Sequence, residues 1–184
     1  MPVISDPGNI LTKRLKEENL EFTVVPGASA GLSALILSGL DASRFCFLGF
    51  LPQKQTERVE FLQDYKEFCG SLIFYSAPHD INKDIKTIYE VFGNRKAVAV
   101  KEITKLYEKT QEIFLEDGEI DNPKGEFVLV VEGFNKKDEN KELSDSQLID
   151  KYILEGLDKK SAIKRVAKER NIAKSELYKY TINK

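Results

Sequence analysis

Two short loops near the start of the sequence have the residue types that bring backbone close to a ligand. The first spans residues 4–8 (Ile-Ser-Asp-Pro-Gly) and the second spans residues 25–30 (Val-Pro-Gly-Ala-Ser-Ala). Each combines a rigid Pro, a permissive Gly and small polar side chains. Residues 29–38 are predicted to form an apolar helix with a Ser N-cap, and its free N–H groups would suit a polar or anionic ligand group. An ordinary turn between a strand and a helix also explains these residues.

A second chemical feature is the positive charge of the C-terminal stretch. Residues 157–184 contain nine Lys and Arg residues against three acidic ones, a local net charge of +6. Tyr178 and Tyr180 are interleaved with these cations. The pattern is typical of a surface that contacts the phosphate backbone of a nucleic acid. A solvated helical cap on the domain is the alternative.

The overall composition excludes several classes of protein. The 184 residues carry a formal net charge of only −2, so bulk charge indicates neither a nucleic-acid nor a membrane partner. Cys46 and Cys69 lack metal-ligand spacing and lie in apolar sequence, which favours buried thiols of a reducing compartment and no metal site. No apolar run approaches the roughly 20 residues of a membrane span, and no signal-peptide pattern is present. The sequence therefore predicts a soluble cytoplasmic protein.

Alternating apolar segments predict an α/β fold with a mixed sheet. A surface helix at 9–19, a strand at 21–25 and the helix at 29–38 come first. Strands are then predicted at 45–51, 71–75, 96–100 and 126–131, with residues 107–114 as candidates for a further strand. Helices are predicted at 55–68 and from Asp80 to a stop at Gly93.

The C-terminal third has a different organisation. A polar linker is predicted at 135–143, and Ser144 with Gln147 forms a capping box that opens a helix. Asp158 is expected to cap a second helix, and residues 175–180 form a third. Three short helices joined by tight turns predict a helix-turn-helix unit at 144–184.

Eight segments of the chain recur in this order in a known family. They lie at 4–8, 25–27, 44–52, 72–75, 78–79, 102–105, 124–126 and 177–180. Together they resemble the small-subunit (16S) ribosomal RNA cytidine 2′-O-methyltransferase I family, a branch of the tetrapyrrole methylase superfamily. Each segment alone is weak evidence, but eight in order across nearly the whole chain form a specific pattern.

The resemblance implies an enzyme that transfers a methyl group from S-adenosylmethionine to the ribose 2′-hydroxyl of a cytidine in 16S ribosomal RNA. It implies two α/β domains with the cofactor between them, a C-terminal helix-turn-helix and a homodimer. Family members carry further residues before the position of Met1, so the chain is expected to be N-terminally truncated. Residues 1–42 would then be the remnant of a partial cofactor-binding domain, and 43–134 a largely complete second domain.

The resemblance also implies the site residues. The cofactor would contact residues mainly through their backbone: Met1, Pro26, Gly27, Ala28, Ser29, Ala30, Phe50, Leu51, Lys124, Gly125 and Glu126. Catalysis or RNA positioning would fall to Glu102 and Lys105, then Tyr75 and His79, since a ribose hydroxyl needs a base or an oriented hydrogen bond. The RNA would contact the C-terminal unit through Lys159, Lys160, Lys164, Arg165, Lys168, Lys174 and Tyr178.

Simpler roles compete with each catalytic assignment. His79 could cap the helix that begins near Asp80, Glu102 with Lys105 could be a surface ion pair, and Tyr75 could be a packing residue. Two other functions stay open as well. One is methylation of a small tetrapyrrole, against which the Lys-rich tail argues, and the other is nucleic-acid binding without catalysis.

Overall fold

The computed structural model of the protein describes residues 1–135 and 143–178. Contacts divide the chain into two compact units, Met1–Phe134 and Asn135–Lys184. Most of the predicted polar linker and the last six residues lie outside the described ranges. No helix of the described residues is both long and apolar enough to cross a membrane.

The first unit has the predicted mixed α/β composition. Its helices are α1 (Asn9–Glu17), α2 (Ala30–Ser38), α3 (Gln55–Gln63) and α4 (Ile81–Phe92). Its strands are β1 (Phe45–Phe50), β2 (Ser71–Ser76), β3 (Lys96–Lys101), β4 (Lys109–Phe114) and β5 (Phe127–Val131). The sequence prediction is confirmed for these elements, including the candidate strand that became β4.

The five strands form one sheet in the order β1-β2-β5-β3-β4. β1 and β2 are parallel, whereas β5 runs antiparallel to both of its neighbours, β2 and β3, and β4 runs antiparallel to β3. The C-terminal ends of β1, β2 and β3 therefore lie at the same edge of the sheet as the start of β5. Loops that are distant in sequence meet at this edge.

β5 is buried on both faces because helices cover both sides of the sheet's centre. Phe127, Leu129 and Val131 belong to the core that includes α4 and Leu62 of α3. Val128 and Val130 face the opposite core with Ala34 and Leu35 of α2. α2 is thus fixed on the sheet by apolar packing, with its C-terminus closed by Gly39 in the left-handed region (φ 65°).

A buried ion pair fixes α3 and α4 beside the sheet. Arg58 Nη1 lies 2.9 Å from Asp84 Oδ1, and the two side chains are 1% and 4% exposed. Ser76 at the end of β2 donates a hydrogen bond to Asp84 Oδ2 at 2.5 Å, and Arg58 Nε donates to the Pro52 carbonyl at 2.9 Å. Burial raises the pKa of Asp84, while the Ser76 hydroxyl and the Arg58 charge act in the opposite direction.

Four local predictions were wrong. Residues 21–25 form no strand: Val24 and Val25 are 51% and 80% exposed, and no strand of the described residues pairs with them, so β-propensity alone does not hold a strand. α1 ends at Glu17 and not at 19, and its N-cap position is Gly8 without a side-chain cap. α3 ends at Gln63 and not at 68, because the chain tightens there into i→i−3 turns. Cys69 is an exposed free thiol and not a buried one.

The second unit contains the three predicted helices, α5 (Asp145–Leu154), α6 (Lys159–Arg170) and α7 (Lys174–Tyr178). The capping box of Ser144 and Gln147 is confirmed. Asp158 caps α6 by accepting hydrogen bonds from two backbone N–H groups. These helices share a small core around Leu148 and Tyr152.

Replacing Arg58 by Met would leave the Asp84 carboxylate buried without its cation. We expect the free energy of unfolding to fall by about 3–5 kcal/mol, measured by urea denaturation. The exposed pair of Lys54 and Glu57 at the start of α3 gives the control. Lys54→Met should change stability by less than about 1 kcal/mol. Equal losses in the two variants would contradict a structural role for the buried pair.

Candidate cofactor and catalytic site at one edge of the sheet

Most of the predicted site residues lie at the edge where β1, β2 and β3 end and β5 begins. Phe50 at the end of β1 pairs in register with Tyr75 of β2, and Tyr75 pairs with Val128 of β5. Lys101 at the end of β3 pairs with Phe127 at the start of β5. The C-terminal edge of an open α/β sheet is where such folds bind ligands.

The loop after β3 and the turn before β5 are joined by reciprocal hydrogen bonds. The Glu126 N–H donates to Glu102 Oε1 at 2.9 Å, and the Glu102 N–H donates to the Glu126 carbonyl at 3.0 Å. Gly125 lies between them in the left-handed region (φ 81°), and a Cβ there would lie 2.5 Å from Glu102 Cδ. The Glu102 carboxylate therefore occupies space that only a glycine at 125 leaves open.

The loop after β3 and the turn before β5 form a corner that contains Glu102, Lys105 and Glu126. Lys105 links its two carboxylates. Its Nζ lies 3.1 Å from Glu102 Oε1 and 3.0 Å from Glu126 Oε2. The Glu126 backbone N–H, and then Lys105, lower the pKa of Glu102, while the carboxylates of Glu126 and Glu102 raise the pKa of Lys105. Both groups are thus charged at neutral pH, and a carboxylate with a lowered pKa is a weak proton acceptor.

The backbone of the loop after β3 adopts an uncommon conformation. Glu102 and Thr104 have φ values of 51° and 65°, in the left-handed region that non-glycine residues seldom enter. Glu108 accepts a hydrogen bond from the Thr104 N–H at 2.6 Å, and the Lys105 N–H donates to the Glu102 carbonyl. Such strain costs about 1–3 kcal/mol per residue and persists where surrounding contacts hold it, often at ligand sites.

Tyr75 connects the end of β2 to the start of α2. Its hydroxyl accepts a hydrogen bond from the Gly31 N–H at 3.3 Å. Its ring packs edge-on against Phe47 and Phe50, with centroids 4.9 and 5.6 Å away. Ser29 occupies the N-cap position of α2 but makes no side-chain cap. The packing role expected of Tyr75 is confirmed, and the hydrogen bond adds a polar role that the sequence did not predict.

The opening segments of the chain contact the same region. The Met1 amino group donates a hydrogen bond to the Ala28 carbonyl. Gly49, at a bulge of β1, has φ 66°, and a Cβ there would lie 3.4 Å from Ser5 Oγ. Gly27 differs, because a Cβ added to it would have no atom within 4 Å. The loop at 26–30 is therefore open where Gly27 stands.

The other predicted residues are less connected to this corner. Phe50 is 60% exposed, whereas Leu51 is a core residue that can offer a ligand only its backbone. Lys124 is exposed. His79 has a side chain that is 78% exposed, with Nε2 3.3 Å from Asp80 Oδ2; Asp80 and not His79 holds the N-cap position of α4. Among the described residues, no group of three or more His, Cys, Asp or Glu could hold a metal ion.

The predicted RNA contacts in the second unit lie on helix surfaces. The exposed lysines of this set are Lys159, Lys160, Lys164, Lys168 and Lys174. Three of them, at positions 160, 164 and 168, form one row along α6 by their spacing of four. The Arg165 guanidinium lies over the Tyr152 ring at 4.4 Å, and the Tyr152 hydroxyl donates to Glu169 at 2.6 Å. The side chain of Tyr178 lies outside the described part.

Comparison with known proteins shows which protein family the chain belongs to. Residues 1–117 match the family of Tetrapyrrole (Corrin/Porphyrin) Methylases, and the chain belongs to this family. The solved structure of the methyltransferase CobJ has the same fold, with a TM-score of 0.56 at 17% identity over 72% of this chain and 61% of that one.

Relatives of higher identity share one name, ribosomal RNA small subunit methyltransferase I. The protein of Halalkalibacterium halodurans is 37% identical over 187 residues, which cover 97% of this chain and 65% of the relative. The Bacillus subtilis protein is 35% identical over 97% of this chain and 64% of its own length. The Buchnera aphidicola protein is 36% identical over 99% of this chain and 65% of its own length. The chain thus spans slightly less than two thirds of the length of these relatives.

Gly125→Ala tests the corner. The added Cβ must displace the Glu102 carboxylate, and the alanine must adopt a left-handed φ. We therefore expect a loss of about 1–3 kcal/mol in unfolding free energy. Hydrogen exchange should show that the Glu126 amide loses protection. Gly27→Ala is the matched control, because Gly27 has no positive φ and a Cβ there would enter open space. Its stability should stay within about 0.5 kcal/mol of wild type. Retained protection of the Glu126 amide in Gly125→Ala would contradict the claim that Glu102 holds the turn through the space at Gly125.

The charge state of Glu102 gives a pH prediction. Its pKa is lowered below the usual 4.5, so the folded protein gains stability from its ionisation above that pH and loses it as pH falls through the lowered value. Carboxyl ¹³C NMR should therefore show Glu102 titrating below 4.5. Lys105→Met should raise this pKa only in part, because the Glu126 N–H is the larger cause. Titration of Glu102 at or above its usual value in wild type would contradict the geometry.

Proposed function

We propose that the chain is an S-adenosylmethionine-dependent methyltransferase of small-subunit ribosomal RNA that methylates the ribose 2′-hydroxyl of a cytidine. The observation that carries the proposal is the identity of 35–37% over 97% of the chain to proteins named for methylation of that RNA. The edge of the sheet described above is the proposed location of the chemistry.

The residues at this edge suit the proposed cofactor, which supplies an electrophilic methyl group when bound. Open space beside Gly27 leaves backbone accessible in the loop at 26–30, and exposed Lys124 and Glu126 flank Gly125 in the turn at 124–126. The exposed Phe50 ring offers an apolar surface, and the backbone of Leu51 continues it. Met1 contacts the loop through Ala28. Backbone donors and acceptors with one flat apolar side chain are the kind of groups that bind such a cofactor.

The catalytic candidates take different roles in this proposal. In transfer to a ribose hydroxyl, the new C–O bond forms as the C–S bond of the donor breaks, and the hydroxyl proton leaves to a base. Glu102, already ionised and hydrogen-bonded, holds the turn at 124–126 in place and is a positioning residue. Lys105 keeps a positive charge at the corner. Tyr75 accepts from Gly31 and keeps its own proton for donation, and His79 beside Asp80 is our candidate base.

RNA contact is proposed for the second unit as a helix-turn-helix module. The lysine row of α6 presents three cations at about one helical turn from each other, which suits successive phosphates of a nucleic-acid strand. A tetrapyrrole methylase is the second candidate, favoured by the family match over residues 1–117. A small macrocycle would not require this row of lysines. A cytoplasmic location and a homodimer belong to the same proposal.

Calorimetric titration with S-adenosylmethionine tests the proposal. We expect heat of binding for the wild-type chain and roughly tenfold weaker binding for Gly27→Ala, since a Cβ there would occupy space proposed for the cofactor. The thermal midpoint of this variant should match wild type, which separates loss of binding from loss of fold. Absence of heat at millimolar ligand would refute cofactor binding by this chain. Unchanged affinity in Gly27→Ala would remove the loop at 26–30 from the site.

A further inference from the structure

A small pocket opens beside the corner, on the face of the sheet away from α2. It has a cavity volume of about 70 Å³ and lies between β3, β4 and residues 120–123. Ala99 and Phe127, both buried members of the core on the α4 side, form its apolar part. Since Ala99 has a small side chain, space remains between the sheet and residues 120–123.

Two lysines of neighbouring strands line this pocket. Lys101 of β3 and Lys109 of β4 lie directly opposite each other in the register. Like charges in directly opposed positions destabilise a sheet. Neither lysine is in an ion pair within the described ranges, although the charge of Lys101 helps to lower the pKa of Glu102. An anion bound between the two lysines would relieve their repulsion.

The remaining polar lining points to the class of anion. Gln111 and Asn122 supply amide groups that can donate hydrogen bonds, and Asp121 supplies one carboxylate. The lining therefore has two positive charges against one negative charge. Ammonium groups with neutral amide donors suit a phosphate, which accepts several hydrogen bonds at once.

The position of the pocket relates it to the corner. Lys101 directly precedes Glu102, and Phe127 directly follows Glu126. We propose that this pocket binds a phosphodiester group of the RNA strand next to the methylated nucleotide. The identification of the strand as RNA depends on the proposed function, whereas the phosphate chemistry depends on the pocket alone.

Inorganic phosphate is the first probe. In ¹⁵N NMR titrations at constant ionic strength, phosphate should shift the amides of residues 99, 101, 109 and 111 more than chloride or acetate does. Lys101→Ala with Lys109→Ala should weaken this binding about tenfold or more. The doubly substituted chain should be at least as stable as wild type, because the substitutions remove repulsion. Lys83→Ala with Lys86→Ala, exposed on α4, is the control and should leave the shifts unchanged.

A single-stranded RNA oligonucleotide is the second probe. Because the pocket would neutralise one phosphate, the salt dependence of RNA binding should become shallower by about 0.7 in the Lys101→Ala and Lys109→Ala chain. It should stay unchanged in the α4 control. Phosphate shifts that persist in the double variant, or equal shifts with acetate, would overturn the phosphate pocket. Phosphate binding with an unchanged RNA salt slope would overturn the role in RNA binding. Failure of methyl transfer with both binding results intact would refute the proposed function and leave the pocket standing.

Discussion

The position of β5 between β2 and β3 is the constraint on which the site depends. This strand is buried along its whole length and runs against both of its neighbours, so its first residue lies beside the last residues of β2 and β3. Apolar packing on both faces stabilises β5 in that position, and the position of β5 in turn brings the polar residues of the corner together. The strand order brings loops that are 20 or more residues apart in sequence within hydrogen-bonding distance of each other.

The contacts of the corner are the reason that we propose a positioning role, and not proton transfer, for its charged cluster. Glu102 is held by a backbone N–H and an ammonium group, and each contact stabilises its ionised form. The same contacts keep a strained loop and a glycine turn in one arrangement. A group that is stabilised as a carboxylate is poorly suited to remove a proton from a ribose hydroxyl, which is why we assign it to positioning.

The sequence predicted local features better than long-range ones. Capping signals placed α5 and α6 correctly, because a cap depends on residues two or three positions apart. The apolar stretch at 21–25 failed because a strand also needs a partner, which a single segment does not specify. Glu102 and Glu126 were both candidates, but their contact depends on the strand order. Lys101 and Lys109 were missed because only the register reveals that they face each other.

Methyl transfer to ribosomal RNA tests the central claim most directly. The chain would be incubated with small ribosomal subunits that lack the modification and with S-adenosylmethionine labelled at the methyl carbon, and the nucleosides would be analysed by mass spectrometry. We expect the label in 2′-O-methylcytidine, with a lower yield for Gly125→Ala at unchanged RNA binding. Label on a base, or transfer to a tetrapyrrole with none to RNA, would contradict the proposed function.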